Sequence, residues 1–145
     1  MPELRVVIDT SVVVSAALLP NSVPRGAIDH ALDRGRLLQS IATLEELEEV
    51  LRRPGFNRYI SEGLRLEFLG ALVQQSEIVE VSERIVACRD EMDNKFLELA
   101  VSGGATHVVT GDNDLLVLSP FRGIAICTPA RFVEQCGHEQ KEKEA

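Results

Sequence analysis

Hydrophobic positions along this chain alternate between short β-branched runs and stretches with helical spacing. The first run, Val6-Val7-Ile8, reads as a buried strand and stops at Asp9. Ser11 to Leu19 is apolar and predicted helical, until Pro20-Asn21-Ser22-Val23-Pro24 breaks it. A second helix is expected from about Gly26 to Arg34, ending at Gly35, and Leu37 to Ser40 is short enough for a strand. From Ser40, a favoured cap, Ile41, Leu44, Leu47, Val50 and Leu51 trace one apolar helical face. Arg52-Arg53-Pro54-Gly55 ends that helix, because proline disfavours the helical conformation in the residue before it. Phe56 to Ile60 is a connector. Arg65 to Gln75 is helical again, with Leu64, Phe68 and Leu72 on one face and Leu69 beside it. Glu77 to Val81 is a third strand or an extended link. Phe96, Leu97, Ala100 and Val101 form another helical face, ended by Gly103-Gly104. Thr106 to Thr110 and Gly123 to Cys127 read as strands, Leu115-Leu116 as the start of a short helix, and Pro129 to Cys136 as a last helical turn or two.

This alternation predicts a layered α/β domain. The 145 residues suit a single domain, expected over 1–136, with a polar, charged tail over 137–145 expected to be disordered. With 45% hydrophobic residues and no Trp, the core must be aliphatic. The net charge of −8, from 23 acidic and 15 basic residues, argues against a non-specific DNA coat. It leaves room for a nuclease, since carboxylates that hold cations lower the formal charge themselves. Arg outnumbers Lys, and Arg suits bidentate phosphate contacts. Cys88, Cys127 and Cys136 show no C-x-x-C spacing and read as free thiols in a reducing compartment. The N-terminus leads directly into the first strand without a signal or lipidation pattern, so a cytoplasmic protein with no membrane association is expected.

Three acids stand at junctions into helices. Asp9 follows the first strand, Asp93 heads the Phe96 helix, and Asp112 follows the Thr106–Thr110 strand. Each has an ordinary reading as a helix cap or turn residue. Glu46 lies roughly 40° around its helix from Val50, at the border of the buried face. It reads either as a cleft-facing carboxylate, as the far end of a Thr43-x-x-Glu46 capping box, or as a solvated glutamate. Taken together the acids say more. In an open parallel sheet such junctions gather at one edge, where ligands bind. Carboxylates gathered there repel unless a cation holds them. With oxygen donors alone, and no His or Cys at zinc spacing, that cation would be magnesium or manganese. Such a site suits phosphodiester hydrolysis.

The same residues carry a family resemblance. Val7-Ile8-Asp9-Thr10-Ser11 opens it. Ser40 follows, then Glu46-Leu47, Val50-Leu51, Arg53-Pro54 and Phe56. Arg89-Asp90, Asp93-Asn94-Lys95-Phe96-Leu97 and Ala100 come next, then Val109-Thr110-Gly111-Asp112 and Asp114-Leu115-Leu116. In order and spacing, from Val6 to about Leu118, the chain resembles the PIN-domain family, and most closely the VapC-like toxin ribonucleases. The resemblance implies a three-layer α/β/α sandwich with a mainly parallel central sheet and an acidic pocket. It places the catalytic, metal-binding acids on Asp9, Glu46, Asp93 and Asp112, with Asp114 as a further candidate ligand. Thr10 or Ser11 falls on a hydroxyl that orders the site, and Asp90 is an accessory acid.

The function implied is a magnesium- or manganese-dependent endoribonuclease, the toxin of a toxin–antitoxin pair, with a cognate antitoxin as partner and a homodimer as its assembly. RNA contacts are expected from Arg52, Arg53, Arg58 and Lys95, whose alternative role is as solvated surface charges. The other reading is a non-catalytic PIN-like module that binds RNA or a protein. A phospho-accepting receiver domain is disfavoured, since Asp9 stands without a second acid beside it and no late Lys follows a strand.

Overall fold

A computed structural model describes residues 3–135, so Cys136 and the expected tail lie outside the described residues. Five parallel strands form one sheet in the order β3-β2-β1-β4-β5. They are β1 (Leu4–Ile8), β2 (Gly35–Gln39), β3 (Ser76–Ile78), β4 (His107–Val109) and β5 (Ala125–Cys127). The helices are α1 (Thr10–Leu18), α2 (Val23–Arg34), α3 (Ile41–Leu51), α4 (Glu62–Gln74), α5 (Asn94–Ser102) and α6 (Asn113–Leu116). Two single 3₁₀ turns, Pro54–Arg58 and Glu91–Asp93, and a helical segment at 129–135 complete the described chain.

Strand alternation divides the core into two halves. Val6, Ile8, Leu37 and Val109 pack with residues of α1 to α4 and with Phe132. Their neighbours Val7, Leu38 and Val108 pack on the opposite face with α5 and α6. The result is the three-layer α/β/α arrangement, with β1 at its centre. β1 pairs with β2 on one side and with β4 on the other. The direction of chain winding reverses there, and the crevice at such a reversal is the standard ligand position of an open α/β sheet. Gly35 permits the β1–β2 approach, since a Cβ at that position would lie 1.9 Å from the Leu4 carbonyl oxygen.

Several helix boundaries differ from the sequence reading for identifiable reasons. α2 begins at Val23 rather than near Gly26, because Pro24 occupies the first turn and the Ser22 side chain accepts from Arg25 N–H. Proline is at home there, where its missing N–H needs no partner. The capping box of α3 joins Ser40 to Thr43, so Glu46 is not its distal member. In α4 the expected apolar face is displaced. Leu64 is 52% exposed, while Arg65 takes the interior position with no exposed surface.

Between β3 and the Glu91–Asp93 turn, an extended strap is held by α5 side chains. Ser102 Oγ accepts from the N–H groups of Ser82 and Glu83 at 3.1 and 3.2 Å. Glu98 Oε2 accepts from Ile85 N–H at 3.0 Å, and Asn94 Oδ1 accepts from Ala87 and Cys88 at 3.2 and 2.9 Å. These three acceptors are spaced four residues apart and therefore share one helix face. They satisfy backbone donors that would otherwise lack a ladder partner.

Among the described residues, no helix is long and apolar enough to cross a membrane.

Candidate active site

The carboxyl ends of β1 and β4 open into a cleft of about 460 Å³ whose lining includes Asp9, Thr10, Ser11, Glu46, Asp93 and Asp112. Asp9 is 4% exposed and caps α1. Its Oδ1 accepts from Val12 N–H at 2.9 Å and from Ser11 Oγ at 3.1 Å. Its Oδ2 accepts from the Thr110 hydroxyl. The cap and the cleft residue are thus one group, so the two readings of Asp9 are compatible. Burial raises the Asp9 pKa above its ordinary value, against the opposing pull of the hydrogen bonds from Thr110, Val12 and Ser11.

Thr110, fully buried just beyond β4, ties two of the acids together. Its hydroxyl donates to Asp9 and its oxygen accepts the backbone N–H of Asp112 at 3.0 Å. The sequence reading missed this role. The available signal was a hydroxyl residue directly after a buried strand and two residues before a cleft acid. Asp112 caps α6 by accepting from Asp114 N–H at 2.9 Å. Asp93 precedes α5 without making a side-chain cap hydrogen bond, which leaves its carboxyl to the cleft. Burial first, then a hydrogen bond shared with Asp112 and the charges of Asp112, Asp90 and Asp9, push Asp93 up to about 6.

Glu46 reaches the same cleft from α3. Its Oε1 accepts from Thr10 Oγ1 at 2.6 Å, and its Oε2 is paired with Lys95. Thr10 therefore orders Glu46, while Ser11 orders Asp9. Asp90 is exposed and its Oδ1 accepts from Met92 N–H, as the cap of the turn that leads to Asp93. Asp114 is half-buried and is not in the cleft lining. Cys88 stays protonated, since burial and then the charges of Asp93 and Asp112 push its thiol up to about 11.

The basic residues separate in the structure. Arg52 pairs with Glu48 at 3.1 Å and Glu62 at 3.3 Å on the exposed surface. Arg58 lies 5.8 Å from the Tyr59 ring centroid. Lys95 is committed to Glu46. Of the four, Arg53 alone is in the cleft lining.

The donor chemistry of Asp9, Asp93 and Asp112 fits a hard divalent cation. Two carboxyl groups that share a hydrogen bond, one pushed up to about 6, present a place where a cation can replace a proton. Among the described residues, no three acidic, histidine or cysteine side chains already stand close enough to enclose an ion.

The comparisons with known proteins agree with this architecture. The PIN domain family matches over residues 5–114. "Uncharacterized protein MJ1680" of Methanocaldococcus jannaschii is 30% identical over 143 residues, covering 92% of each chain. Among solved structures, PAE2754 from Pyrobaculum aerophilum superposes with a TM-score of 0.60 at 18% identity, covering 90% of this chain and 88% of the other. VapBC2 from Rickettsia felis, solved with a DNA fragment from its promoter, gives a TM-score of 0.59 at 12% identity, covering 85% and 97%. At such identities the two structures speak for the fold alone. The length of the family match carries the assignment: this chain belongs to the PIN domain family.

Proposed function

We propose that the protein is a magnesium- or manganese-dependent endoribonuclease acting as the toxin of a toxin–antitoxin pair. The observation that carries the reading is the gathering of Asp9, Glu46, Asp93 and Asp112 in one cleft, from four separate parts of the chain. Asp9, Asp93 and Asp112 are the residues that would hold the ion. A bound cation would supply activation of water and stabilisation of charge on the entering and leaving oxygens of the phosphodiester. The chain's own part is to fix these acids. Thr110, Ser11 and the Val12 N–H hold Asp9, Thr110 aligns the Asp112 backbone, and Thr10 with Lys95 holds Glu46.

The toxin role is supported by the likeness to VapBC2, which was solved bound to DNA from its promoter. The resemblance of the sequence to VapC-like toxins suggests an antitoxin peptide that covers the cleft as the partner and a homodimer as the assembly. An antitoxin arginine would find its complement in the acids.

The test is a labelled single-stranded RNA incubated with purified protein in magnesium, in manganese and in chelator. Wild-type protein should cleave with metal and stop in chelator. Asp9→Asn keeps the cap of α1, because Asn is an equally good N-cap. It should nevertheless lower cleavage by about 100-fold or more, the scale of losing a principal electrostatic group. Cleavage undiminished in chelator or in Asp9→Asn would overturn the metal-dependent mechanism. No cleavage with either metal, and RNA binding indifferent to these substitutions, would turn the reading to a binding module.

A further inference from the structure

The cleft is larger than its acids require. A metal ion and its waters occupy tens of cubic ångströms, at about 30 Å³ per water, whereas the cleft measures about 460 Å³. The remaining lining is of different chemistry. Val14 and Leu18 of α1, Val50 of α3 and Phe56 of the Pro54–Arg58 turn form an apolar wall, with Arg53 beside it. Among the described residues no carboxylate pairs with Arg53, in a chain where acids outnumber bases.

This wall is fixed by Arg65. The guanidinium, fully buried, donates to the Leu51 carbonyl at 2.6 Å, the Ile60 carbonyl at 2.5 Å, Asn57 Oδ1 at 3.0 Å and the Arg53 carbonyl at 3.3 Å. It also stands 5.9 Å from the Phe56 ring centroid. The segment that carries Arg53 and Phe56 is therefore clamped from the α3 end to Ile60. Ordering of this kind is done on folding rather than on binding, which lowers the entropic cost of association.

We propose that Arg53 and Phe56 form a subsite for one unpaired nucleotide next to the scissile phosphate, with the base stacked on Phe56 and a backbone phosphate at Arg53. This deepens the ribonuclease reading and rests on it. The nucleotide must be unpaired, because a duplex keeps its base faces in its own stack. Charge complementarity selects the occupant. A basic peptide that pairs with the acids meets Arg53 as a like charge, so it suits the acid end of the cleft and not the wall beside Arg53. A nucleotide chain offers phosphates to the cation end and to Arg53, and the flat face of a base to the apolar wall.

The test compares a short single-stranded RNA with versions carrying one abasic residue at each position in turn. Binding is read by fluorescence anisotropy in chelator, and cleavage by steady-state kinetics in manganese. Phe56→Ala and Phe56→Leu should each weaken binding and raise KM about tenfold, as loss of one base–aromatic stack does, with a smaller change in kcat. Phe56→Leu keeps apolar packing against Arg65, so it serves if Phe56→Ala unfolds. On the RNA whose missing base is the stacked one, both variants should match wild type, and Phe56→Trp should match wild type on intact RNA. Arg53→Gln should reduce the slope of log affinity against log salt by about one.

A Phe56→Leu variant that binds and cleaves intact RNA like wild type overturns the subsite while leaving the ribonuclease reading in place. An equal loss on every abasic RNA also overturns it. If Phe56→Leu fails only to bind a protein partner, the wall belongs to that partner and the subsite is again overturned. A wild type that shows the base-dependent binding but no metal-dependent cleavage supports the subsite and defeats the ribonuclease reading alone.

Discussion

Arg65 and Asp9 are both charges taken out of water, 0% and 4% exposed, but their surroundings differ. Arg65 has no acidic partner in its hydrogen-bonding shell. Three main-chain carbonyls and the Asn57 side chain accept from it, and they belong to the end of α3 and the loop beyond. Helix carbonyls at a C-terminus carry partial negative charge, so they suit a cation without needing a carboxylate. Asp9 also has three hydrogen bonds, yet burial still raises its pKa, and the charge of Asp112 adds to the effect. The first arrangement resolves its charge within the chain. The second leaves like charges facing one another in a cleft. Groups kept under such tension mark functional sites, because something that binds must relieve it.

This contrast can be broken most directly through Arg65. Arg65→Met keeps much of the aliphatic volume but strands several buried acceptors, and each stranded group costs about 1–3 kcal/mol. The variant should lose about 3 kcal/mol or more of stability in urea unfolding, while Asp9→Asn in chelator should cost far less or stabilise. If the two variants unfold at the same denaturant concentration, the Asp9 charge is as well accommodated as that of Arg65 and the contrast fails.

Metal sharpens the comparison from the other side. A ligand that binds only the native state at 100 times its Kd stabilises by about 2.7 kcal/mol. Manganese or magnesium should therefore raise the melting temperature of wild type by several degrees. Asp93→Asn and Asp112→Asn should abolish most of that rise, whereas Arg52→Gln, which touches only exposed ion pairs, should leave it intact. A rise unchanged in Asp112→Asn would place the ion elsewhere.

The smallest effect expected is on the pH dependence of the metal-free protein. Asp93 is pushed up to about 6, mainly by burial, then by the hydrogen bond and charge of Asp112. The folded state therefore holds a proton that the unfolded chain has already released. Its contribution is fully present below the ordinary Asp range near 4 and is lost as pH rises through about 6. Melting temperature in chelator should fall across that window, and the fall should flatten in Asp93→Asn. A curve that rises from pH 4 to 6 in wild type and is unchanged by the substitution would remove this strain from the site.

Much of this was legible in the sequence because it rests on local pattern. The Val6–Ile8 run ending in Asp9 specified both a central strand and an acid at its carboxyl end. The position of Glu46 at the border of the α3 face left three readings open, and the structure puts its half-buried carboxylate in the cleft lining. What pattern could not show depends on distant partners. Arg65 looks like an ordinary helix surface residue until Leu51, Arg53 and Ile60 supply carbonyls from a preceding loop. Thr110 looks like the end of a strand until Asp9, 101 residues earlier, lies against it. The strap on α5 has no ladder and no periodicity of its own. Its signal lay instead in the fourfold spacing of Asn94, Glu98 and Ser102.

The central place of β1 also sets an order in time. β1 pairs on one side with β4, Val6 lying opposite His107 across a long stretch of chain. Until residues 110–112 follow, Asp9 lacks its Thr110 hydroxyl and its neighbour Asp112. Pairing across so long a loop is slow, because closure entropy precedes the contacts that repay it. A chain that stops before residue 110 therefore carries Asp9, Glu46 and Asp93 but lacks Asp112 and the hydroxyl that holds Asp9. Whatever chemistry the cleft performs therefore begins only once residues 110–112 have closed onto β1.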